Sequence, residues 1–277
     1  MSDRTKFIGT GVAITTPFKA NNEIDINSLY KQIDHVIGGG VNYIVLFGTT
    51  GESPTISYKE KQEVATTVAD YVAARVPLVI GFGGNNTTEL VNEISNFDFK
   101  GFDAILSVSP YYNKPNQDGL YAHYSEVCKV SPLPIILYNV PGRTVINIAP
   151  ATTIRLTKEF KNIIAIKEAT DNLDHVMELI SQKPKDLLVI AGDDALAIPF
   201  ISLGAVGAIS VISNAFPKEF SDMVQYALKN DYEKARCEHY KLLPLMHTLL
   251  QSGNPAGIKV AVNTLGLCEY KFRLPVF

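Results

Sequence analysis

Short runs of apolar residues alternate along the chain with longer stretches whose apolar positions recur every three or four residues. Eight short runs stand out, at residues 11–15, 43–47, 78–82, 104–108, 135–138, 163–167, 187–191 and 208–212. Several, such as Tyr43-Ile44-Val45-Leu46-Phe47, are continuously apolar, the pattern of a strand buried on both faces of a parallel sheet. The segments between them have recognisable helix starts. Ser57 and Glu60 stand at capping-box spacing, as do Asn86 and Glu89, and Val64, Val68, Tyr71 and Val72 follow the first box at helical spacing. Strand and helix in alternation, eight times over, predict an α/β fold, the (β/α)8 TIM barrel.

The rhythm breaks after Pro217. From there the pattern predicts helices only, at 218–229, 232–251 and 255–265, with Asn254-Pro255 marking a boundary. The expected organisation is a barrel over residues 1–230 and a small C-terminal helical appendage over 231–277 packed on it. No stretch rich in Gly, Ser or Pro separates the two.

Composition narrows the function classes. The 277 residues are 46% hydrophobic, with 25 Lys+Arg against 28 Asp+Glu. That is too apolar and too weakly charged for a disordered chain, and it lacks the basic footprint of a nucleic-acid binder. Residues 195–217 carry no charge and are long enough to span a bilayer. Pro199, Gly204, Gly207 and Asn214 interrupt the run, however, so it is read as helix, turn and buried strand, and no membrane association is expected. Cys128, Cys237 and Cys268 are odd in number and scattered, which suggests neither disulfides nor a thiolate zinc site and favours a reduced compartment. With an N-terminus unlike a secretory signal, the expected location is cytoplasmic. The five histidines show no metal spacing and no phosphate-binding glycine motif occurs, so neither metal nor cofactor is expected.

In this fold chemistry sits at the carboxyl ends of the strands. Lys167 closes the run Ile163-Ile164-Ala165-Ile166, and period-two alternation puts it on one face with Ile163 and Ala165. If that face points inward, the amine stands above an apolar interior, where desolvation favours the neutral form that attacks a carbonyl to give a Schiff base. Alone, the same lysine reads more readily as a solvated strand end, because single lysines seldom carry chemistry. Tyr138 ends the preceding strand, about 4.8 Å away, close enough for its phenol to shuttle protons. Thr49-Thr50-Gly51 offers hydroxyls and backbone N–H groups for a carboxylate, and Arg143 offers a bidentate fork for another. Asp193-Asp194 is read as capping the helix that starts near Ala195 rather than as a metal pair.

Five motifs in order carry a resemblance: Gly48-Thr49-Thr50-Gly51-Glu52-Ser53, Tyr111-Tyr112-Asn113-Lys114-Pro115, Tyr138-Asn139-Val140-Pro141-Gly142-Arg143-Thr144, Ile166-Lys167-Glu168-Ala169 and Gly192-Asp193-Asp194. Together they resemble the dihydrodipicolinate synthase branch of the pyruvate-dependent class I aldolase (N-acetylneuraminate lyase) family, over essentially the whole chain. The resemblance implies condensation of pyruvate, as a Schiff base on Lys167, with aspartate semialdehyde on the route to lysine and diaminopimelate. It implies a proton relay of Thr49, Tyr138 and Tyr112, the last reaching in from a neighbouring subunit. It also implies pyruvate-carboxylate binding at Thr50, aldehyde-carboxylate binding at Arg143, further contacts at Gly192 and at the Ile209 carbonyl, no cofactor, and a homotetramer built as a dimer of dimers.

Sialic acid lyases and 2-keto-3-deoxy sugar-acid aldolases share the lysine and tyrosine. Arg143 in its Pro-Gly-Arg-Thr setting favours the synthase over them, and the intact lysine, tyrosines, threonine and arginine together argue against a non-catalytic metabolite-binding barrel. Ser53, Asn85, Glu89 and Tyr111 match the pattern of a lysine-inhibited regulatory site. Tyr58 and Lys61 depart from that pattern, and a cation at Lys61 would oppose the effector's ammonium, so weak or absent inhibition by lysine is expected. The resemblance further implies a final helix past Arg273-Leu274-Pro275, whereas this sequence stops at Phe277.

Overall fold

All eight apolar runs become strands in the computed structural model, which describes residues 4–251 and 253–277. The first half runs β1 (Gly9–Ala13), α1 (Ile26–Gly38), β2 (Tyr43–Leu46), α2 (Tyr58–Val72), β3 (Leu78–Gly81), α3 (Thr87–Asn96), β4 (Ala104–Val108) and α4 (Gln117–Val130). The second runs β5 (Ile135–Asn139), the single turn α5 (Pro141–Thr144), α6 (Pro150–Glu159), β6 (Ile163–Glu168), α7 (Leu173–Gln182), β7 (Leu188–Ala191), α8 (Ala197–Leu203) and β8 (Gly207–Ser210). After these come α9 (Pro217–Leu228), α10 (Tyr232–Gln251) and α11 (Ala256–Thr264). Each strand pairs in parallel with the next and β8 closes on β1, completing the expected barrel.

Both faces of the sheet are apolar for different reasons. Inward residues such as Val45, Val79, Leu106, Ile136, Ile190 and Ile209 fill the barrel. Their neighbours, such as Ile44, Ile80, Ile105, Leu137 and Val189, pack outward under the helices. At the amino-terminal mouth Phe7 packs edge-on against Tyr43, with ring centroids 5.6 Å apart. Tyr43 fits there because Gly11 has no side chain; a Cβ on it would lie 2.2 Å from the tyrosine ring.

The predicted borders move where side chains capture backbone groups. The first strand stops at Ala13 rather than residue 15: Thr15 N–H donates to Asn214 Oδ1 at 3.0 Å, and Asn214 Nδ2 donates to the Ala13 carbonyl at 2.9 Å. The last stops at Ser210 because the Asp194 carboxylate takes the N–H groups of Val211 and Ile212. The Ser57–Glu60 capping box forms in both directions, while Asn86 caps α3 by accepting from the Glu89 N–H.

The helical tail packs on the barrel through α9 and through a small core of Ala215, Ile258, Val262 and Cys268. The uncharged stretch 195–217 is divided between α8, β8 and their turns. Among the described residues, no helix is long and apolar enough to cross a membrane.

Candidate active site

Lys167 and Tyr138 are direct partners across β5 and β6. The amine is buried, and its Nζ lies 4.3 Å from the centre of the tyrosine ring. The alternation behind this placement differs from expectation. Ile135 pairs with Ile163 and Ile136 with Ala165, so Ile164 is an extra residue in β6. This bulge turns Ile163 outward while Ala165 remains on Lys167's inward face.

The two residues line a cavity of about 450 Å³ at the carboxyl mouth, together with Thr49, Thr50, Arg143, Gly192 and Asp193. Thr49 and Thr50 form a single 3-10 turn with Gly51, placed directly after β2. Thr50 is buried and its Oγ1 accepts from Asn254 Nδ2 at 3.1 Å. Arg143 stands on the exposed one-turn α5, and its Nη2 donates to the Asn254 carbonyl at 3.4 Å. Gly192 must lack a side chain, because a Cβ there would lie 2.7 Å from Ala169 Cβ and 3.0 Å from Lys167 Cε.

The paired aspartates divide their work. Contrary to expectation, Asp193 does not cap the helix: it accepts from the N–H groups of Ala195 and Leu196 at 2.9 and 3.2 Å in the turn before α8, whose N-cap is Leu196 with no side-chain cap bond. Asp194 instead ties the loop after β7 to the end of β8, and burial pushes its pKa up to about 6. Neither belongs to a group able to hold a metal ion, and no such group occurs among the described residues.

Behind Lys167, on the opposite face of β6, Glu168 is fully buried. Its carboxylate accepts from Asn139 Nδ2 at 2.8 and 3.0 Å and from the Thr170 N–H at 3.1 Å, and it meets His175 Nε2 at 3.2 Å. Sequence reasoning overlooked this network, although a carboxylate one residue past the lysine must face outward and, under a helix, must find partners. It also overlooked Asn254 and Lys259. The Lys259 ammonium is fully buried, 2.5 Å from Glu52 Oε1, with its Nζ also donating to the Lys271 carbonyl at 2.9 Å. No local pattern marks such a pair, whose members lie 207 positions apart.

Other expected residues are not gathered here. Ile209 packs inside the barrel, and Val211 and Ile212 line the cavity in its place. Tyr112 is 87% exposed and absent from this chain's own cavity. Ser53 and Tyr111 line an adjoining cavity of about 380 Å³ with Lys61, whose pKa burial lowers. Asn85 donates to the Tyr111 carbonyl at 3.2 Å, while Glu89 lies in a separate open groove beside Tyr58.

A model of the dihydrodipicolinate synthetase family matches residues 6–277. The chain is 50% identical over 270 residues to the 4-hydroxy-tetrahydrodipicolinate synthase of Flavobacterium psychrophilum, covering 98% of this chain and 92% of the relative. It is 40% identical to the dihydrodipicolinate synthase from Aquifex aeolicus, whose crystal structure matches with a TM-score of 0.95 over 98% of this chain and 92% of that one. The chloride-inhibited dihydrodipicolinate synthase from Acinetobacter baumannii, solved in complex with pyruvate, matches at 38% identity and a TM-score of 0.94, covering 98% and 92%.

Proposed function

The chain belongs to the dihydrodipicolinate synthetase family, and on that premise we propose that it condenses pyruvate with aspartate semialdehyde to give 4-hydroxy-tetrahydrodipicolinate, in lysine and diaminopimelate biosynthesis. The observation that carries the reading is the buried Lys167 amine held over the Tyr138 ring at the mouth of a cavity. The neutral amine adds to the pyruvate carbonyl carbon, and water leaves as the imine forms. Loss of a methyl proton then gives the enamine, with the protonated imine nitrogen as the electron sink. The enamine carbon attacks the aldehyde carbon, forming the new C–C bond, and the aldehyde oxygen takes up a proton. Attack of the substrate's own amine on the imine carbon closes the ring and releases Lys167.

Tyr138, Thr49 and a Tyr112 contributed by a second copy of the chain carry the protons. Thr50, with the N–H groups of its turn, holds the pyruvate carboxylate, and Arg143 the carboxylate of the aldehyde. Gly192 leaves room for the lysine stem. The steps balance without a cofactor or a metal. The exposure of Tyr112 supports assembly into a homotetramer of paired dimers, in which it would be covered. Ser53, Asn85, Glu89 and Tyr111 are the effector-site candidates; the Lys61 cation beside Ser53 and Tyr111 weakens lysine binding there. The proposed location is the cytoplasm, in keeping with the free Cys128, Cys237 and Cys268.

Borohydride reduction in the presence of pyruvate tests the reading. The expected result is a stable adduct on Lys167 in the folded protein and none in K167A, with condensation of aspartate semialdehyde faster than cleavage of sugar acids. Absence of an adduct in the native chain overturns the Schiff-base mechanism, and preferential sugar-acid cleavage overturns the substrate.

A further inference from the structure

Asn254 belongs to the turn between α10 and α11, outside the barrel, yet it lines both cavities at the carboxyl mouth. Its Nδ2 stands 3.1 Å from Thr50 Oγ1 and its backbone carbonyl 3.4 Å from Arg143 Nη2. One residue of the tail therefore touches both groups assigned above to substrate carboxylates. An amide N–H can only donate, so the Thr50 oxygen is the acceptor and its own proton must point elsewhere. Thr50 donates that proton to no described residue, although it is only 1% exposed and lines the cavity.

The other end of the amide is equally informative. Asn254 Oδ1 is buried without a partner. Exchanging the oxygen and nitrogen would spend the Thr50 proton on Asn254 and would bury an NH2 with two unpaired donors, which is the costlier arrangement. An orphaned buried acceptor is itself uncommon and calls for a reason.

We propose that Asn254 is a positioning residue which, by donating to Thr50 Oγ1, fixes that hydroxyl as a donor aimed into the cavity and so sets the affinity for the pyruvate carboxylate. The inference rests on the function proposed above and goes beyond it: the tail takes part in first-substrate recognition through the direction of one hydrogen bond.

Asp is isosteric with Asn but its carboxylate only accepts. In N254D the Thr50 proton turns away from the cavity to the new acceptor. The readout is borohydride trapping at Lys167 as a function of pyruvate concentration, with no aldehyde present. N254D is expected to raise half-saturation about tenfold, and the same change made on a T50V background is expected to have little further effect. Simple charge repulsion or a general structural defect would persist on that background, and equal effects on both backgrounds overturn the proposal. So does wild-type half-saturation in N254D. If N254D fails to fold, N254A carries the same comparison, with a smaller rise of about threefold that again vanishes beside T50V. Failure of the native chain to trap pyruvate at all overturns the functional reading and this proposal with it, whereas normal native trapping with an unaltered N254D overturns this proposal alone.

Discussion

Lys167 owes its setting to residues that carry no chemistry of their own. Gly192 is the sharpest case, because a methyl group there would press against both Ala169 and the lysine's Cε. G192A is therefore expected to cost about 1–3 kcal/mol of stability from overpacking. It should also lower pyruvate trapping at Lys167 by at least about tenfold, since the lysine stem is the movable neighbour. Denaturant unfolding and reductive trapping on the same sample check both parts, and full trapping in a folded G192A would show that the stem has room to spare. Lys167, Tyr138, Thr49, Thr50 and Arg143 were all legible in the sequence, because each ends or follows a strand and strand ends face the mouth. Asn254, Glu168 and Asp194 were not. Their roles lie in hydrogen bonds to groups distant in sequence, which leave no periodicity behind.

Among the elements, the strands and helices follow the hydrophobic pattern, and the discrepancies sit at their ends. The first and last strands stop where Asn214 and Asp194 replace the ladder as backbone partners. The bulge at Ile164 breaks the alternation that sequence alone assumes to be regular. The turn after β2 depends on another element altogether. Glu52 follows Thr49-Thr50-Gly51 in a left-handed conformation, with φ of 54°, and is neutralised by Lys259 on α11. Removing one partner of such a pair leaves a bare buried charge, and E52Q or K259M alone is expected to cost about 3–5 kcal/mol. The double variant E52Q/K259M should cost less than the sum of the two. Urea midpoints for the four proteins measure this, and strict additivity would mean that the two groups do not act as a pair.

For the whole molecule, two buried groups give acid stability an opposed pair of slopes. Burial holds the His123 pKa down to about 4, so the unfolded chain takes up that proton first, from about pH 6.5. The stability linked to His123 is complete above that range and falls as pH drops toward 4. Asp194 runs the other way. The folded carboxyl takes its proton near pH 6, before the unfolded one does, so acidification through the same window favours the fold. Each is worth at most about 3 kcal/mol. D194N removes the favourable member, and its unfolding free energy is expected to fall more steeply from pH 6 to 4 than that of the native protein. Parallel slopes in chemical unfolding would show that Asp194 does not titrate there. The barrel itself was fully legible from eight apolar runs, whereas the coupling of tail to mouth was not, since hydrophobic spacing reports which face is buried and not which distant side chain meets it.

That coupling has a consequence for the order in which the protein is made. Glu52 leaves the ribosome 207 residues before its counter-charge, Lys259; Arg273, which braces Glu60 and the Thr55 carbonyl, comes later still. A nascent chain can hold every strand, including the one that bears Lys167, while the turn after β2 still lacks its support. One that stops short of Lys259 and Arg273 carries Lys167 without a finished site.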